Sequence, residues 1–311
     1  MTADAPVTDG VLAAALTPVT EDLAPDAARW LDHGRWLLAE GCDGLAVLGT
    51  TSEANSFSVA ERLGLLDAMG ESDIPGGRVV PGTGCCAIPD TVALTKKALE
   101  IGAAGVLMLP PFYYKPVGDD GLFAAYSEII QRVGDAALKI YLYHIPQNSG
   151  VPITHGLIEK LLKAYPDTVV GIKDSAGDFA NMAAMVKNFP GFRVFSGSDR
   201  FLLDILRIGG AGAITACNNV AGRLSSRVLA AHRAGDAAGA DALQAELNVV
   251  RETVASYPLV EGLKELVARA TGDAAWRRLR PPLMPLDRAT ADALSARLDA
   301  AGFTMTMRRA A

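Results

Sequence analysis

Eight short apolar runs, each followed by a loop and a longer amphipathic stretch, set the frame for this chain. They are Leu12–Leu16, Gly44–Leu48, Arg78–Pro81, Gly105–Leu109, Lys139–Tyr143, Val169–Lys173, Arg193–Ser196 and Gly212–Ala216. Recurring at roughly 20 to 35 residues, they suit strand–loop–helix–loop units of a parallel sheet. Eight units predict an α/β fold of the (β/α)8 TIM-barrel type rather than an open, doubly wound sheet. The doubly wound alternative needs a GxGxxG turn between a strand and a helix. Gly82-Thr83-Gly84 comes nearest, and Cys85-Cys86-Ala87 after it does not complete the pattern.

Past Gly222 the texture changes. Leu224–Ala234, Asp236–Tyr257 and Leu259–Thr271 carry apolar residues at 3–4 spacing and predict successive helices. Pro281-Pro282-Leu283-Met284-Pro285 reads as a rigid link, and Ala289–Ala301 as a last helix. The expected organisation is a barrel over residues 1–223 carrying the active site, with a C-terminal helical region, residues 224–311, packed on it. With 311 residues, half of them hydrophobic, the chain is long enough for that core.

A net charge of −6 argues against a nucleic-acid partner, whose phosphates require a basic face. Four cysteines, Cys42, Cys85, Cys86 and Cys217, and four scattered histidines show no zinc-ligand spacing. A reduced, cytoplasmic protein without a structural metal is the expectation. Met-Thr-Ala-Asp-Ala-Pro at the start has neither a basic nor an apolar signal region, and Gly, Pro or charge interrupts every apolar run. No secretion signal and no membrane partner are expected.

Catalytic groups of such barrels stand at the carboxyl ends of the strands. Lys173 ends the run Thr168-Val169-Val170-Gly171-Ile172, and Asp174-Ser175-Ala176-Gly177 follows as a turn. An apolar barrel mouth favours a neutral amine, the form that attacks a ketone. A lysine snorkelling to the rim or pairing with Asp174 would explain the same residue. The other strand ends carry Thr17-Pro18, Gly49-Thr50-Thr51-Ser52-Glu53, Pro110-Pro111-Phe112-Tyr113-Tyr114-Lys115-Pro116, Tyr143-His144-Ile145-Pro146-Gln147-Asn148-Ser149-Gly150, Gly197-Ser198-Asp199 and Cys217-Asn218-Asn219. Thr50 to Glu53 has the spacing of a helix capping box, and also the chemistry of a carboxylate cradle. Tyr143 is either a core aromatic or a proton shuttle to the amine. Asp199 is a turn former or a binding group.

Four of these motifs together, Gly49-Thr50-Thr51-x-Glu53, the Pro-Phe-Tyr-Tyr-Lys-Pro loop, Tyr143-x-Ile-Pro and Gly-Ile-Lys173-Asp-Ser, resemble the dihydrodipicolinate synthase / N-acetylneuraminate lyase superfamily. The resemblance spans the chain from Gly10 to the C-terminal helices. It implies a class I, pyruvate-dependent aldolase or lyase built on a (β/α)8 barrel. The partners it implies are a small 2-oxo acid and an aldehyde, and its assembly a homotetramer, a dimer of dimers. By resemblance, Lys173 is the Schiff-base lysine, with no cofactor beyond that covalent bond, and Tyr143 the proton-shuttling tyrosine. Thr50 and Thr51 hold the 2-oxo acid carboxylate, with Thr51 supporting the proton relay. Tyr113 approaches a neighbouring subunit's site. Ser175, Gly197, Asp199, Arg200 and Asn148 complete the substrate-binding candidates.

The departures are informative. Ser52 stands where the family usually has glycine, so a differently bent carboxylate loop is expected. Asn148 stands where dihydrodipicolinate synthases place an arginine, and an amide supplies no charged bidentate clamp. That speaks against 4-hydroxy-tetrahydrodipicolinate synthase as the role. Ser149-Gly150 and Pro-Phe-Tyr-Tyr look closer to N-acetylneuraminate lyases, where the counterpart of Asp199 meets sugar hydroxyls, but Arg200 replaces their acidic neighbour. A sugar-like substrate with a distal acid would fit. Two further alternatives are a 2-keto-3-deoxy sugar acid dehydratase, which starts from the same imine, and a non-catalytic 2-oxo acid binding protein.

Overall fold

The computed structural model describes residue 6 and residues 9–305. Seven parallel strands are present among the described residues: β1 (Gly10–Ala14), β2 (Gly44–Ala46), β3 (Val106–Met108), β4 (Ile140–His144), β5 (Val169–Asp174), β6 (Arg193–Ser196) and β7 (Gly212–Thr215). They pair in the order β2-β1-β7-β6-β5-β4-β3. The expected strand at 78–81 is the one that forms no regular ladder. It still fills its place. The Val80 and Gly82 N–H groups donate to the Leu45 and Val47 carbonyls at 2.8 and 2.7 Å, and Leu107 N–H donates to Pro81 O at 2.8 Å. Pro81 has no N–H to give back to β3, so the segment closes the barrel through isolated bridges, Leu45 to Val79 and Gly82 to Leu107.

Side-chain alternation divides inside from outside. Leu12, Ala14, Tyr141, Tyr143, Phe195 and Ile214 fill the barrel, while Val11, Ala13, Ile140, Leu142 and Val194 face the helices. In β5 both Val169 and Ile172 face outward, which an unbroken strand cannot do. The parity changes at a register shift: Ile140 pairs Val169, yet Tyr141 pairs Gly171. That bulge puts Lys173 opposite Tyr143, on the inner face.

The helices between strands are α1 (Ala27–Ala39), α2 (Val59–Gly70), α3 (Ile88–Glu100), α4 (Asp119–Val133), α5 (Pro146–Ser149), α6 (His155–Ala164), α7 (Phe179–Asn188) and α8 (Leu202–Arg207). After β7 come α9 (Asn218–Arg233), α10 (Ala237–Ala255), α11 (Leu259–Thr271) and α12 (Arg288–Ala300). Helix α9 crosses the expected division at 223, and one apolar core runs on both sides of it, from Val11 and Leu45 to Val254, Leu263 and Leu298.

Asn219, at the start of α9, joins the end of β1 to this core. Its amide donates to the Ala14 and Ala216 carbonyls at 2.7 and 2.8 Å, and its carbonyl accepts from Leu16 N–H at 3.0 Å. His33 Nε2 reaches the same oxygen at 2.8 Å. Because the amide hydrogens are already spent, Nε2 carries the hydrogen.

The capping box lies elsewhere than expected. Ser58 and Glu61 form it at the start of α2, while Glu53 has a left-handed backbone, φ 56°, and turns its carboxylate into the protein. All four cysteines are free. Among the described residues, no helix is long and apolar enough to cross a membrane.

Candidate active site

Lys173 and Tyr143 are register partners on neighbouring strands and share the inner face. Both are buried, at 5% and 3% exposure. Lys173 Nζ lies 3.4 Å from Tyr143 Oη and 4.5 Å from the ring centroid. Tyr143 Oη is also 3.1 Å from Thr50 Oγ1. An amine, a phenol and an alcohol therefore form a continuous chain across three strand ends, the minimum for moving a proton to and from a group bound at Nζ.

The neighbouring loops hold this chain in place. Asp174, buried beside Lys173, accepts from Ala176 N–H and Asn181 Nδ2, each at 2.8 Å. Ser175 N–H donates to His144 O at 2.8 Å, and Gly197 N–H to Asp174 O at 2.7 Å. A Cβ on Gly197 would collide with Ser175 Oγ, so glycine is what lets these two loops close together. Burial lowers the pKa of His144 against the pull of Asp174, and its Nδ1 accepts from Ile153 N–H at 3.0 Å.

The two threonines differ. Thr50 is the one bonded to Tyr143, whereas Thr51 is buried one residue on. Ser52, expected to alter the bend, donates from Oγ to Ala15 O at 2.6 Å and ties the turn to β1. Leu48 and Glu53, at φ 56° each, bracket the turn with left-handed non-glycine residues.

Asp199 is committed internally. It is buried, accepts from the Thr215 hydroxyl, and its other oxygen lies 3.7 Å from Arg251 Nε of α10. Burial raises its pKa, while Thr215, Arg251 and more weakly Lys173 pull it down. Arg200, next in sequence, is exposed and packs over the Phe201 ring at 5.8 Å. Asn148 is exposed, and its neighbour Gln147 holds the Ser175 carbonyl at 2.8 Å. Tyr113 is 75% exposed, edge-on to Tyr114 at 5.3 Å. The structure thus brings Lys173, Tyr143 and Thr50 into contact, sets Ser175 and Gly197 beside them, and leaves Asn148, Arg200 and Tyr113 at the solvent.

Sequence reasoning missed three participants. Lys115 lies across Gly150, joining the Tyr-Tyr loop to the loop after β4. Arg251 reaches Asp199 from α10, beyond the barrel. Lys264 of α11 is fully buried against Glu53. A lysine within an amphipathic helix carries no sign of a buried partner in a distant loop.

A parallel barrel with a buried amine against a phenol at the carboxyl ends of its strands has the layout of the TIM-barrel enzymes, whose catalytic groups stand at that end. The family is specific: the model of the Dihydrodipicolinate synthetase family matches residues 7–301, and the chain belongs to that family. It is an enzyme of the pyruvate-dependent aldolase and lyase class that the family comprises. An "Uncharacterized DapA-like lyase" of Chloroflexus aurantiacus is 38% identical over 92% of this chain and 95% of its own. A 4-hydroxy-tetrahydrodipicolinate synthase of Methanococcoides burtonii is 32% identical over 89% and 93%. Among solved structures, YagE of E. coli K12, a prophage protein of the dihydrodipicolinic acid synthase family in complex with pyruvate, superposes with a TM-score of 0.86. It is 27% identical, over 96% of this chain and 100% of its own.

Proposed function

We propose that the chain is a Schiff-base lyase that cleaves, or in reverse forms, a carbon–carbon bond between pyruvate and an aldehyde. The observation that supports it is the grouping of the buried Lys173 Nζ and Tyr143 Oη with Thr50 Oγ1, at 3.4 and 3.1 Å. The Lys173 amine attacks the C2 ketone of a 2-oxo acid. Tyr143 delivers a proton to the resulting carbinolamine oxygen, and water leaves. Tyr143, left as a phenolate, takes the proton of the C4 hydroxyl; the C3–C4 bond breaks with its electron pair passing into the iminium, so that the aldehyde is released and an enamine remains. Protonation at C3 and hydrolysis return pyruvate and the free amine.

Thr50 and Thr51 with their backbone N–H groups are the carboxylate cradle, and Thr50, in contact with Tyr143, joins the relay in the part first expected of Thr51. Ser175 and Gly197 border the substrate. Asn148 and Arg200 meet its distal end, and Asp199 acts from beneath. Tyr113 is assigned to a neighbouring subunit's mouth in a dimer of dimers. No metal takes part in this reading; the enzyme is cytoplasmic, with the site in residues 1–223 and a helical support in residues 224–311.

A synthase role, with aspartate semialdehyde as the aldehyde, is the second reading. The 32% identical Methanococcoides burtonii relative favours it, and neutral Asn148 weighs against it. The test is exchange of the pyruvate methyl protons in heavy water, followed by an aldehyde screen with pyruvate. Exchange that requires the enzyme, and condensation with a sugar-derived aldehyde in preference to aspartate semialdehyde, is expected. No exchange would refute the enamine.

A further inference from the structure

The turn that carries Thr50 and Thr51 is gripped from the C-terminal helical region. Glu53 N–H returns to Thr50 O at 3.0 Å and Ala54 N–H to Gly49 O at 3.2 Å, so residues 49–54 form one closed turn. Its conformation is unfavourable on its own, because Leu48 and Glu53 both hold left-handed backbones without being glycine. Something outside the turn must hold it. One Glu53 carboxylate oxygen pairs with Lys264 Nζ of α11, and the other accepts from Arg280 N–H at 3.2 Å. Lys264 Nζ donates in addition to Arg278 O at 2.9 Å. The Glu53 and Lys264 side chains have no exposed surface. Arg280 extends the grip: its guanidinium donates to Ser56 O and Leu23 O, both at 2.7 Å, pairs with Glu61, and lies 4.3 Å from the Phe57 centroid.

A buried ion pair is a poor way to gain stability, since an apolar pair of similar volume usually does as well, but it imposes a fixed geometry. Resting on the reading of Thr50–Thr51 as the carboxylate cradle, we infer that Glu53 and Lys264 are positioning residues that set the cradle and hence the affinity for the 2-oxo acid. The helical region after the barrel thereby acts on the site without touching substrate. An error of about 1 Å in such a cradle is enough to change turnover by orders of magnitude.

The experiment measures the pyruvate concentration that half-saturates borohydride trapping on Lys173, in the full chain and in Lys264→Met, Glu53→Gln and Glu53→Gln/Lys264→Met. The double variant leaves no buried unpaired charge, so it decides the matter if a single variant does not fold. The expected result is half-saturation raised about tenfold or more in every folded variant, with the adduct still complete at saturating pyruvate. Half-saturation within about twofold of the parent, even with a lowered melting temperature, would assign the pair to stability alone and overturn the inference. A double variant that does not fold would also overturn it, because the pair would then be required for folding. If the parent itself traps no pyruvate, the fault lies in the functional reading and not in the grip on the turn.

Discussion

Tyr143 and Lys173 meet because each ends a strand on the inner face, and because a bulge in β5 turns the lysine inward. The phenol hydroxyl, between Lys173 Nζ and Thr50 Oγ1, is the only group of the three in reach of both others by hydrogen bond. Replacing Tyr143 by Phe keeps the ring and removes the relay. Pyruvate methyl exchange should fall about 10²- to 10⁴-fold while the trapped adduct still accumulates on long incubation. Exchange within about threefold of the parent would deny the phenol its role. These residues were legible because a strand-end position and a reactive side chain coincide in each. The spacing of Glu53 from Thr50 fits a capping box, while its true partner, Lys264, lies far along the chain. Asp199 also stands at a strand end, and its engagement with Arg251 depends on how α10 packs, which no local pattern encodes.

The eight strand runs were also legible, and seven became ladders. The run at 78–81 was located correctly, but Pro81 removes the donor that a regular ladder needs there. The following residue tests the closure. A Cβ on Gly82 would collide with the Leu48 carbonyl at the root of the Thr50 turn. Gly82→Ala should cost about 1–3 kcal/mol in urea unfolding and weaken pyruvate trapping; an unchanged midpoint would contradict this packing.

The joint between β1 and α9 makes a second prediction. His33, buried between Trp36 and Trp276, has its pKa lowered from 6.5 to about 4 by burial, against a smaller upward pull from its bond to Asn219. The folded state thus prefers the neutral ring, and the unfolded chain takes up a proton first. The stability His33 contributes is fully present above pH 6.5, is lost as pH falls towards about 4, and changes no further below that. The loss is on the order of 3 kcal/mol. In His33→Gln, the fall in unfolding free energy between pH 7 and pH 4 should be smaller than in the parent by about that amount; equal falls would show that His33 is not held neutral.

On the scale of the whole molecule, the barrel and the helices after it share one core. Helix α9 spans the boundary that composition suggested, and Lys264 and Arg280 reach back to the mouth. The change of texture past Gly222 was readable, but the continuity of packing was not, since it arises from side chains meeting across long separations. One feature at the mouth points outward. Tyr113 and Tyr114 expose two aromatic rings that a lone chain would leave in water. With Tyr113 assigned to a neighbouring subunit, sedimentation should show a dimer of dimers. Tyr113→Asp should weaken the dimer contact and reduce methyl exchange about tenfold or more. A monomeric parent of full activity would remove Tyr113 from the site.

Every step proposed for this enzyme depends on an imine between Lys173 and a 2-oxo acid. Borohydride reduction in the presence of pyruvate, followed by peptide mass spectrometry, would trap that imine on its lysine. The expected result is a reduced pyruvyl adduct on the peptide carrying Lys173 and none in Lys173→Ala. A folded parent protein that carries no adduct, or carries it on another lysine, would contradict it.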